Sequence, residues 1–375
     1  MTKPKVAIAT EWLTQYGGAE KTVEAIMELY PNAPIYTAKY DPKSMPDHIN
    51  KRKIIAPKSS WIRKITKYFF FFLMAPLFEE MDFREYDIVI SSGTTWPKGI
   101  ITRPDQLHIS YIHTPPRFLY GYSTESTKRN KWYFKLFFSY VDNMVRLWDY
   151  VAAQRPDFLV TNSKETQSRI KKFYRRDATI IYPPVEVSYG NTPLSQETKN
   201  KYNLDKPYFM ALGRLAAYKN FDLLIKVFNE LDIPLVICGR GTHEKTLKRL
   251  AGNNIIFVGH APDKEKHELV SGSLGLINTV DDEDFGIVPI EAQAHGKPVL
   301  AYKAGGHLET VKENVSGMFF EELTVQNLKN SVLEFEKKIK EGLFDAEKIK
   351  QSVQHFSKDR FQKDFGTFVE QKWNA

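Results

Sequence analysis

The sequence predicts an α/β protein with two doubly wound parallel sheets that face a cleft. Three observations support this. Short apolar stretches alternate with amphipathic stretches along most of the 375 residues, which is typical of parallel strands covered by helices. The length suits two domains of ordinary size. The alternation is interrupted by Tyr182-Pro183-Pro184 and by a polar stretch ending at Lys206-Pro207, where we expect the domain boundary.

Composition limits the kind of protein. Hydrophobic residues make up 42% and charged residues 26% of the chain, as in globular proteins. Cys238 is the single cysteine, so an internal disulfide is impossible and a reducing compartment is favoured. The longest apolar run, residues 68–77, is about half as long as a membrane span requires. The N-terminus leads directly into a strand-like segment, so we expect no secretory signal.

Charge is unevenly distributed along the chain. Residues 1–183 contain 28 Lys and Arg against 18 Asp and Glu, whereas residues 184–375 contain 25 against 27. The excess in the first half favours anionic partners such as phospholipid, nucleic acid or a pyrophosphate-linked substrate. Nucleic acid is disfavoured, because no helix-turn-helix, zinc or single-strand-binding motif is visible.

The pattern of apolar residues gives the individual elements. In the first half a helix over 19–29 follows Gly17-Gly18, and strands are predicted at 6–10, 35–37, 88–91, 108–112 and 158–162. In the second half, strands are predicted at 208–212, 234–238, 255–258, 274–278 and 299–302, alternating with helices at 220–231, 243–251, 264–271, 288–295 and 307–312. The tail from Leu323 is expected to be helical. Ligands of such sheets bind at the carboxyl ends of the strands.

The acidic segment DDEDFGIVPIE, residues 281–291, lies between a predicted strand and a predicted helix. We expect Pro289 and Glu291 in the first helical turn and Gly296 as a left-handed cap. The helix N-terminus would attract a phosphate oxygen, and Glu283 and Glu291 would accept hydrogen bonds from sugar hydroxyls. A solvated acidic loop remains the alternative.

Two further patterns add to this segment. Arg214 and Lys219 follow the strand 208–212, where their lasting positive charges can neutralise a diphosphate. Gly305-Gly306 follows the strand 299–302 and forms a second turn where the backbone can approach an anion. The acidic residues 281–284 also suggest a metal site of Asp-x-Asp type; no zinc, Ser/His/Asp or P-loop pattern is present.

Together these motifs resemble the retaining glycosyltransferases of family four, which have the GT-B fold of two Rossmann-like domains. The resemblance rests on Gly213-Arg214, Lys219-Asn220, residues 283–291, Gly296-Lys297-Pro298-Val299 and Gly305-Gly306. It implies an N-terminal acceptor domain, residues 1–183, to which residues 358–375 return as a helix, and a C-terminal donor domain, residues 184–357.

The resemblance also implies roles for individual residues. Arg214 and Lys219 would bind the donor diphosphate as it leaves, Glu283 the donor sugar and Glu291 the ribose. The backbone amides of Phe285, Gly286, Ile287 and Val288, beside Asp284, would contact sugar and phosphate. Gly239-Arg240-Gly241 would lie near the nucleotide base, where the recognition loop begins at His260. Gly17-Gly18 would lie under the phosphates, and His113 would approach the transferred sugar; a helix-start loop and a structural histidine are the alternatives for these last two.

The string His113-Thr114-Pro115-Pro116-Arg117 resembles bacterial mannosyltransferases that build O-antigen and exopolysaccharide from GDP-mannose. The resemblance implies a metal-independent reaction that moves a hexose to a glycan or polyprenyl-linked acceptor. A UDP-sugar donor and a nucleotide-sugar epimerase remain open. A binding scaffold predicts the loss of Arg214, Lys219 or Glu283, and all three are present.

Two segments that mix cations with aromatic residues, Trp61–Leu73 and Lys128–Phe138, suit a lipid–water interface. An enzyme with a lipid-linked acceptor would use them as a peripheral protein on the cytoplasmic face of the inner membrane. Aromatic packing inside the first domain is the alternative.

Overall fold

The structure is a computed structural model that describes residues 4–57, 70–123, 132–189 and 192–375; for residues 70–72 and 132–138 it describes the backbone alone. The chain divides into two compact units. The first comprises the residues up to Pro184 together with Lys358–Ala375, and the second comprises Val185–Ser357.

The first unit contains a seven-stranded sheet in which every described pairing is parallel. Its order is β3-β2-β1-β4-β5-β6-β7. All five predicted strands are present. The strands are β1 Val6–Leu13, β2 Ile35–Tyr40, β3 Ile54–Ile55, β4 Ile88–Gly93, β5 Leu107–Ile112, β6 Phe158–Thr161 and β7 Thr179–Ile180.

Helices cover both faces of this sheet, as alternate strand residues show. Ile8 and Ile90 enter one buried cluster, and Ala7 and Val89 enter the cluster on the other side, which is the pattern of a strand buried on both faces. The helices are Gly18–Leu29, Asp47–Asn50, Phe70–Glu79, Trp132–Ala152, Lys164–Tyr174 and Lys358–Trp373.

The helix Lys358–Trp373 packs onto the first unit. Phe361, Phe365 and Val369 lie in the same buried cluster as Ile8 and Ile26. Its start is held by Lys358 Nζ, which lies 3.0 Å from Glu28 Oε2. The last helix of the chain therefore completes the core that forms around its first strand.

The second unit contains a six-stranded parallel sheet of order β10-β9-β8-β11-β12-β13. Its strands are β8 Phe209–Leu212, β9 Leu235–Cys238, β10 Ile255–Gly259, β11 Leu276–Asn278, β12 Val299–Tyr302 and β13 Gly317–Phe320. Its helices are Gln196–Tyr202, Phe221–Leu231, Glu244–Leu250, Asp263–Gly272, Ile287–Ala294, His307–Thr310, Val325–Lys340 and Ala346–Ser352.

Two elements of the second unit were not predicted. The polar stretch before Lys206, in which no helix was predicted, contains the helix Gln196–Tyr202, whose N-cap Ser195 accepts a hydrogen bond from the Thr198 amide. Glu268 also binds the side chains of Ser195 and Thr198, so tertiary contacts hold a sequence that looks too polar for a core helix. The strand β13 was not predicted.

The order of strands reverses once in each sheet, between β1 and β4 and between β8 and β11. At such a point the connections leave in opposite directions and open a crevice at the carboxyl ends of the strands. The fold therefore marks one candidate position in each unit.

A buried ion pair ties the loop after β4 to the helix Trp132–Ala152. Lys98 Nζ lies 2.6 Å from Asp149 Oδ1, and the two side chains are 2% and 0% exposed. Lys98 also donates to the Thr94 and Thr95 carbonyls. The hydroxyls of Tyr120 and Tyr174 donate to Asp149 Oδ2, each at 2.9 Å. The pair is thus surrounded by satisfied hydrogen bonds, as a buried charge requires.

We expect Asp149→Ala to destabilise the first unit by about 3–5 kcal/mol, because it leaves the Lys98 ammonium buried without its counter-charge. Denaturant unfolding followed by tryptophan fluorescence measures this, since all six tryptophans of the sequence lie in residues 1–184 and 358–375. The exposed pair Arg84–Asp82 provides the control, and Asp82→Ala should change stability far less. Equal effects of the two substitutions would contradict the stabilising role of the buried pair.

Candidate functional site

The crevice of the second sheet contains an ion pair between two predicted site residues. Lys219 follows β8 and Glu283 follows β11, and Lys219 Nζ lies 2.9 Å from Glu283 Oε2. Each side chain is 17% exposed, so the pair is partly shielded from water and still reachable. The structure therefore brings together two residues that lie 64 positions apart in the sequence.

Hydrogen bonds from side chains to backbone carbonyls fix the two loops that carry this pair. Thr279 Oγ1 donates to the Lys219 carbonyl at 2.9 Å, and Asn220 Nδ2 donates to the Thr279 carbonyl at 3.1 Å. Asn220 has φ +55° at the N-cap of the helix Phe221–Leu231; asparagine tolerates this left-handed conformation better than most residues. Lys219 is thus held immediately before a helix.

The backbone of Gly305 and Gly306 packs directly against the loop that carries Glu283. The Gly306 amide donates to the Glu283 carbonyl at 2.9 Å. A Cβ atom on Gly305 would lie 2.4 Å from that carbonyl oxygen, and one on Gly306 would lie 2.3 Å from the Phe285 oxygen. Only glycine allows so close an approach. We expected these glycines to meet an anion, and the structure shows them packed against the loop that presents Glu283.

The helix after this loop begins one residue earlier than predicted. It spans Ile287–Ala294 with Gly286 as the N-cap, at φ +97°. Glu291 is therefore the fifth helical residue and lies in the second turn, not in the first as predicted. Pro289 is the third, within the first turn, where its missing N–H costs no intrahelical bond.

The expected left-handed cap of this helix is present. Gly296 has φ +73°, and its amide donates to the Gln293 carbonyl at 2.8 Å. The Lys297 amide donates to the Ala292 carbonyl at 3.1 Å. This is the double hydrogen bond of a Schellman motif.

Glu291 and Phe285 occupy different surroundings. Glu291 is 14% exposed, with Lys266 Nζ 4.0 Å from its Oε1. The Phe285 ring is buried against Phe356, with ring centroids 5.3 Å apart. Phe285 thus anchors the loop through its side chain, and Asp284, next to it, is half-buried.

The turn Gly239-Arg240-Gly241 passes close to the loop after β8. A Cβ atom on Gly239, whose φ is +149°, would lie 1.8 Å from the Gly213 oxygen. The Gly239 amide donates to the Gly259 carbonyl at 2.8 Å, and His260 follows. Arg214, Arg240 and His260 all have exposed side chains. The carboxyl edge of the second sheet therefore carries every predicted site residue of the second half; their individual roles stay predictions.

His307 is a residue of this site that the sequence did not indicate. Its side chain is fully buried beside Gly286. Its Nδ1 lies 2.9 Å from the Tyr302 carbonyl, which only an N–H at Nδ1 can satisfy. Its Nε2 is buried without a hydrogen-bond partner in the described part of the chain. Burial lowers the pKa of this imidazole, so it stays neutral beneath the loop. In the sequence, only its position directly after Gly306 could have indicated that His307 belongs to this site.

The remaining predicted residues lie in the first unit. Gly17 is the N-cap of the helix Gly18–Leu29, and its amide donates to Glu20 Oε2 at 3.0 Å, which completes a helix start. The His113 amide donates to the Gly93 carbonyl at 3.1 Å, and its Nε2 lies 3.0 Å from Ser92 Oγ. Burial lowers the pKa of His113 to about 4, so at neutral pH the ring is an uncharged hydrogen-bonding group.

Glu11 is a second residue that the sequence analysis missed. It lies on β1 at the crevice of the first sheet with 8% exposure. Its carboxylate accepts hydrogen bonds from the Thr94 hydroxyl and from the Thr95 and Trp96 amides. An acidic residue inside an otherwise apolar strand was the signal. Its contacts hold the loop that begins where β4 ends.

The remaining predictions concern the two basic–aromatic segments, metal binding and membrane-spanning helices. The side chains of 61–72 and 128–138 lie outside the described residues, which leaves the two basic–aromatic segments as predictions. Within the described ranges, no group of three or more His, Cys, Asp or Glu side chains could hold a metal ion. In the same ranges no helix is both long and apolar enough to cross a bilayer.

Because the folded state lowers the pKa of His113 to about 4, its contribution to stability is complete above the unfolded pKa, about 6.5, and is lost as the pH falls towards 4. We expect acidification from neutral pH to destabilise the first unit and His113→Gln to reduce that pH dependence. Denaturant titrations at several pH values, read by tryptophan fluorescence, measure both. An unchanged pH dependence in the variant would contradict the neutral assignment.

We expect Gly306→Ala to destabilise the second unit by about 1–3 kcal/mol, the usual cost of overpacking, because its Cβ would meet the Phe285 carbonyl. Differential scanning calorimetry measures this. In the matched variant Gly366→Ala, the nearest side-chain atom to the new Cβ lies 3.8 Å away, and this change should not lower stability. A well-tolerated alanine at 306 would show that the loop is not packed as described.

Comparisons with known proteins identify a family and several relatives that this chain resembles. Residues 195–348 match the family "Glycosyl transferases group 1". The alpha-1,3/1,6-mannosyltransferase ALG2 of Mus musculus is 24% identical over 352 residues, which cover 81% of each chain. Its Schizosaccharomyces pombe counterpart is 24% identical over 63% of this chain, and the match spans about half, 52%, of that relative.

A third relative, the GDP-mannose-dependent alpha-(1-6)-phosphatidylinositol monomannoside mannosyltransferase of Mycolicibacterium smegmatis, is 30% identical over 43% of this chain and 48% of its own. Among solved structures, sucrose-phosphate synthase of Thermosynechococcus elongatus has a TM-score of 0.75 at 17% identity, covering 99% of this chain and 100% of its own. HepE of Anabaena in complex with UDP has a TM-score of 0.71 at 16% identity, covering 98% and 100%. Residues 195–348 therefore match the glycosyl transferases group 1 family, and the chain has the GT-B fold.

Proposed function

We propose that this chain moves mannose from GDP-mannose, with retention of configuration, to a glycan or lipid-linked saccharide during surface polysaccharide synthesis. The observation that carries the proposal is the Lys219–Glu283 pair at the crevice of the second sheet, in which the charged atoms lie 2.9 Å apart and each side chain is 17% exposed. This is where a doubly wound sheet binds nucleotides.

The cations act on the leaving group. Lys219 and the exposed Arg214 lie along one carboxyl edge, where they neutralise the charge that develops on the departing diphosphate. The first-turn amides of the helix Ile287–Ala294 face outward without intrahelical partners and add partial positive charge. The diphosphate itself takes the proton of the attacking acceptor hydroxyl, so no separate general base is needed.

The carboxylates act on the sugar and the ribose. Glu283 and Glu291 accept hydrogen bonds from hydroxyls, and the contact with Lys219 fixes the position of Glu283. A lysine ammonium has three N–H donors, so a contact with Glu283 is compatible with simultaneous phosphate contacts. A hydrolytic carboxylate pair would instead flank the glycosidic bond with an acid of raised pKa.

The donor and acceptor are inferred from relatives and motifs. The relatives named above are mannosyltransferases, and one is named as GDP-mannose-dependent with a phosphatidylinositol-linked acceptor. The string 113–117 and the form of the 283–294 motif support the same donor. A lipid-linked acceptor implies work at a membrane surface. Because side-chain cations serve the diphosphate, the reaction is proposed to need no metal ion.

Donor depletion with a panel of GDP- and UDP-sugars, each with a membrane lipid extract, tests the specificity. We expect consumption of GDP-mannose that depends on the extract and persists in the presence of a chelator. Preference for a UDP-sugar would overturn the donor assignment. Consumption without any acceptor would favour an epimerase or a hydrolase.

Lys219→Ala and Glu283→Ala should each lower the rate of transfer by about 10²–10³-fold or more, since each removes a charged contact from the transition state. Glu283→Gln keeps the hydrogen-bonding oxygen and should retain more activity than the alanine variant. Lys226→Ala and Glu322→Ala alter exposed charges of the same unit and should leave the rate unchanged. Full activity in both alanine variants would exclude the assigned site.

A further inference from the structure

The helix Trp132–Ala152 presents a second apolar face that the described part of the chain leaves uncovered. Tyr140, Met144, Leu147 and Val151 are 66%, 48%, 60% and 54% exposed, and Tyr150 is 43% exposed. Their spacing of four, three and four residues places the first four along one side of the helix. We call these five residues the apolar stripe. Such concentrations of exposed apolar side chains mark interaction surfaces.

The same helix packs against the first unit through a different side. Val141, Val145 and Ala152 are 1%, 7% and 0% exposed, and Trp148 packs on Trp96 with ring centroids 5.1 Å apart. These residues, with Asp149, hold the helix against the first unit. The stripe is additional to this contact surface and lies beside it.

Charge along the exposed side is of one sign. Between residues 139 and 154 the other exposed residues are Ser139, Asn143, Arg146 and Gln154, and none is acidic. Asp149 is buried in its ion pair with Lys98, and Asp142 is half-buried. An approaching anionic surface would therefore meet no exposed carboxylate on this side.

A cluster of cations adjoins the end of the stripe. Lys164, Lys171, Lys172, Arg175 and Arg176 line a surface cavity of about 540 Å³ that contains one carboxylate, Asp177. We call these five residues the basic cluster; all except the half-buried Arg176 are exposed.

Hydrogen bonds join the cluster to the helix that carries the stripe. Gln154 Nε2 donates to the Tyr150 carbonyl at 3.0 Å and to the Tyr174 carbonyl at 3.1 Å. Arg176 Nη1 donates to the Ala153 carbonyl at 3.1 Å. The basic cluster therefore lies next to the C-terminal end of the helix that carries the stripe.

We propose that the apolar stripe and the basic cluster together dock this unit onto an anionic lipid bilayer. The inference deepens the proposed function, because a lipid-linked acceptor must be reached at such a surface. The apolar side chains enter the boundary between headgroups and acyl chains, and the lysines and arginines attract the anionic headgroups. Binding would thus combine a hydrophobic contribution that resists salt with an electrostatic contribution that salt weakens.

The charges favour a bilayer over a second copy of the chain. The basic cluster lies at the C-terminal end of the helix that carries the stripe. Parallel pairing of two copies along the stripe would bring their basic clusters together. Anionic lipid headgroups carry the opposite charge and would neutralise the cluster.

Sedimentation with phosphatidylcholine vesicles, with and without phosphatidylglycerol, tests the proposal on the full chain. We expect binding that needs phosphatidylglycerol and weakens at high ionic strength. Leu147→Glu with Val151→Glu, and separately Lys171→Glu with Lys172→Glu, should each weaken binding by about tenfold or more. Tryptophan fluorescence unfolding establishes that the variants remain folded.

Matched controls come from the second unit. Leu333→Glu, and Lys337→Glu with Lys340→Glu, change exposed residues of the same types and should bind vesicles like the unmodified chain. Undiminished binding of both first-unit variants would overturn the proposal. A wild-type dimer that Leu147→Glu dissociates in ultracentrifugation, without any change in vesicle binding, would overturn it in favour of a second copy.

Transfer from GDP-mannose to detergent-dispersed acceptor separates this inference from the proposed function. The docking variants should retain that reaction while they lose vesicle binding. Vesicle binding as expected with no mannose transfer would reject the function and leave the docking surface standing. If mannose transfer occurs as expected but the variants bind vesicles undiminished, the docking surface is rejected and the proposed function stands.

Discussion

The second unit depends on the close backbone approach between the turn Gly305-Gly306 and the loop 283–285. Parallel strands bring their carboxyl ends to one edge, but this alone does not fix the loops that leave that edge. Here the Gly306 amide donates a hydrogen bond to the Glu283 carbonyl, and the absence of a Cβ at both glycines lets the acidic loop lie close to their backbone. The Lys219–Glu283 pair and the start of the helix Ile287–Ala294 depend on this position of the loop.

The two units share one structural feature, but the chemical surroundings of that feature differ. In each, an acidic side chain lies where the strand order reverses, Glu283 in the second sheet and Glu11 in the first. Glu283 faces a lysine and remains partly exposed, whereas Glu11 is buried and accepts backbone amides of the loop after β4. The first carboxylate remains partly accessible to solvent, and the second holds a loop in shape. Exposure and partner, rather than residue type, separate these roles.

Much of the fold could be predicted because its signals are local. Strands such as Val299–Tyr302 are continuous apolar runs, and the Gly296 cap is a property of a few neighbouring residues. The helix Gln196–Tyr202 was missed because its stability comes from Glu268, about seventy residues away. His307 and Glu11 were missed for a related reason, since burial and hydrogen-bond partners depend on packing that no local pattern contains. Glu291 was predicted in the first turn and lies in the second. The reason is that the helix begins directly after the left-handed Gly286, earlier than the position of Pro289 alone suggests.

The route of the chain has a consequence for the order in which the protein can be made. The first unit takes its closing helix, Lys358–Trp373, from the far end of the sequence, and the Phe361 and Phe365 rings fill the core around β1. A ribosome delivers the whole of the second unit before those rings emerge. The nascent first unit must therefore wait with an incomplete apolar core while the second unit is synthesised, and this is the interval in which a chaperone would be of most use.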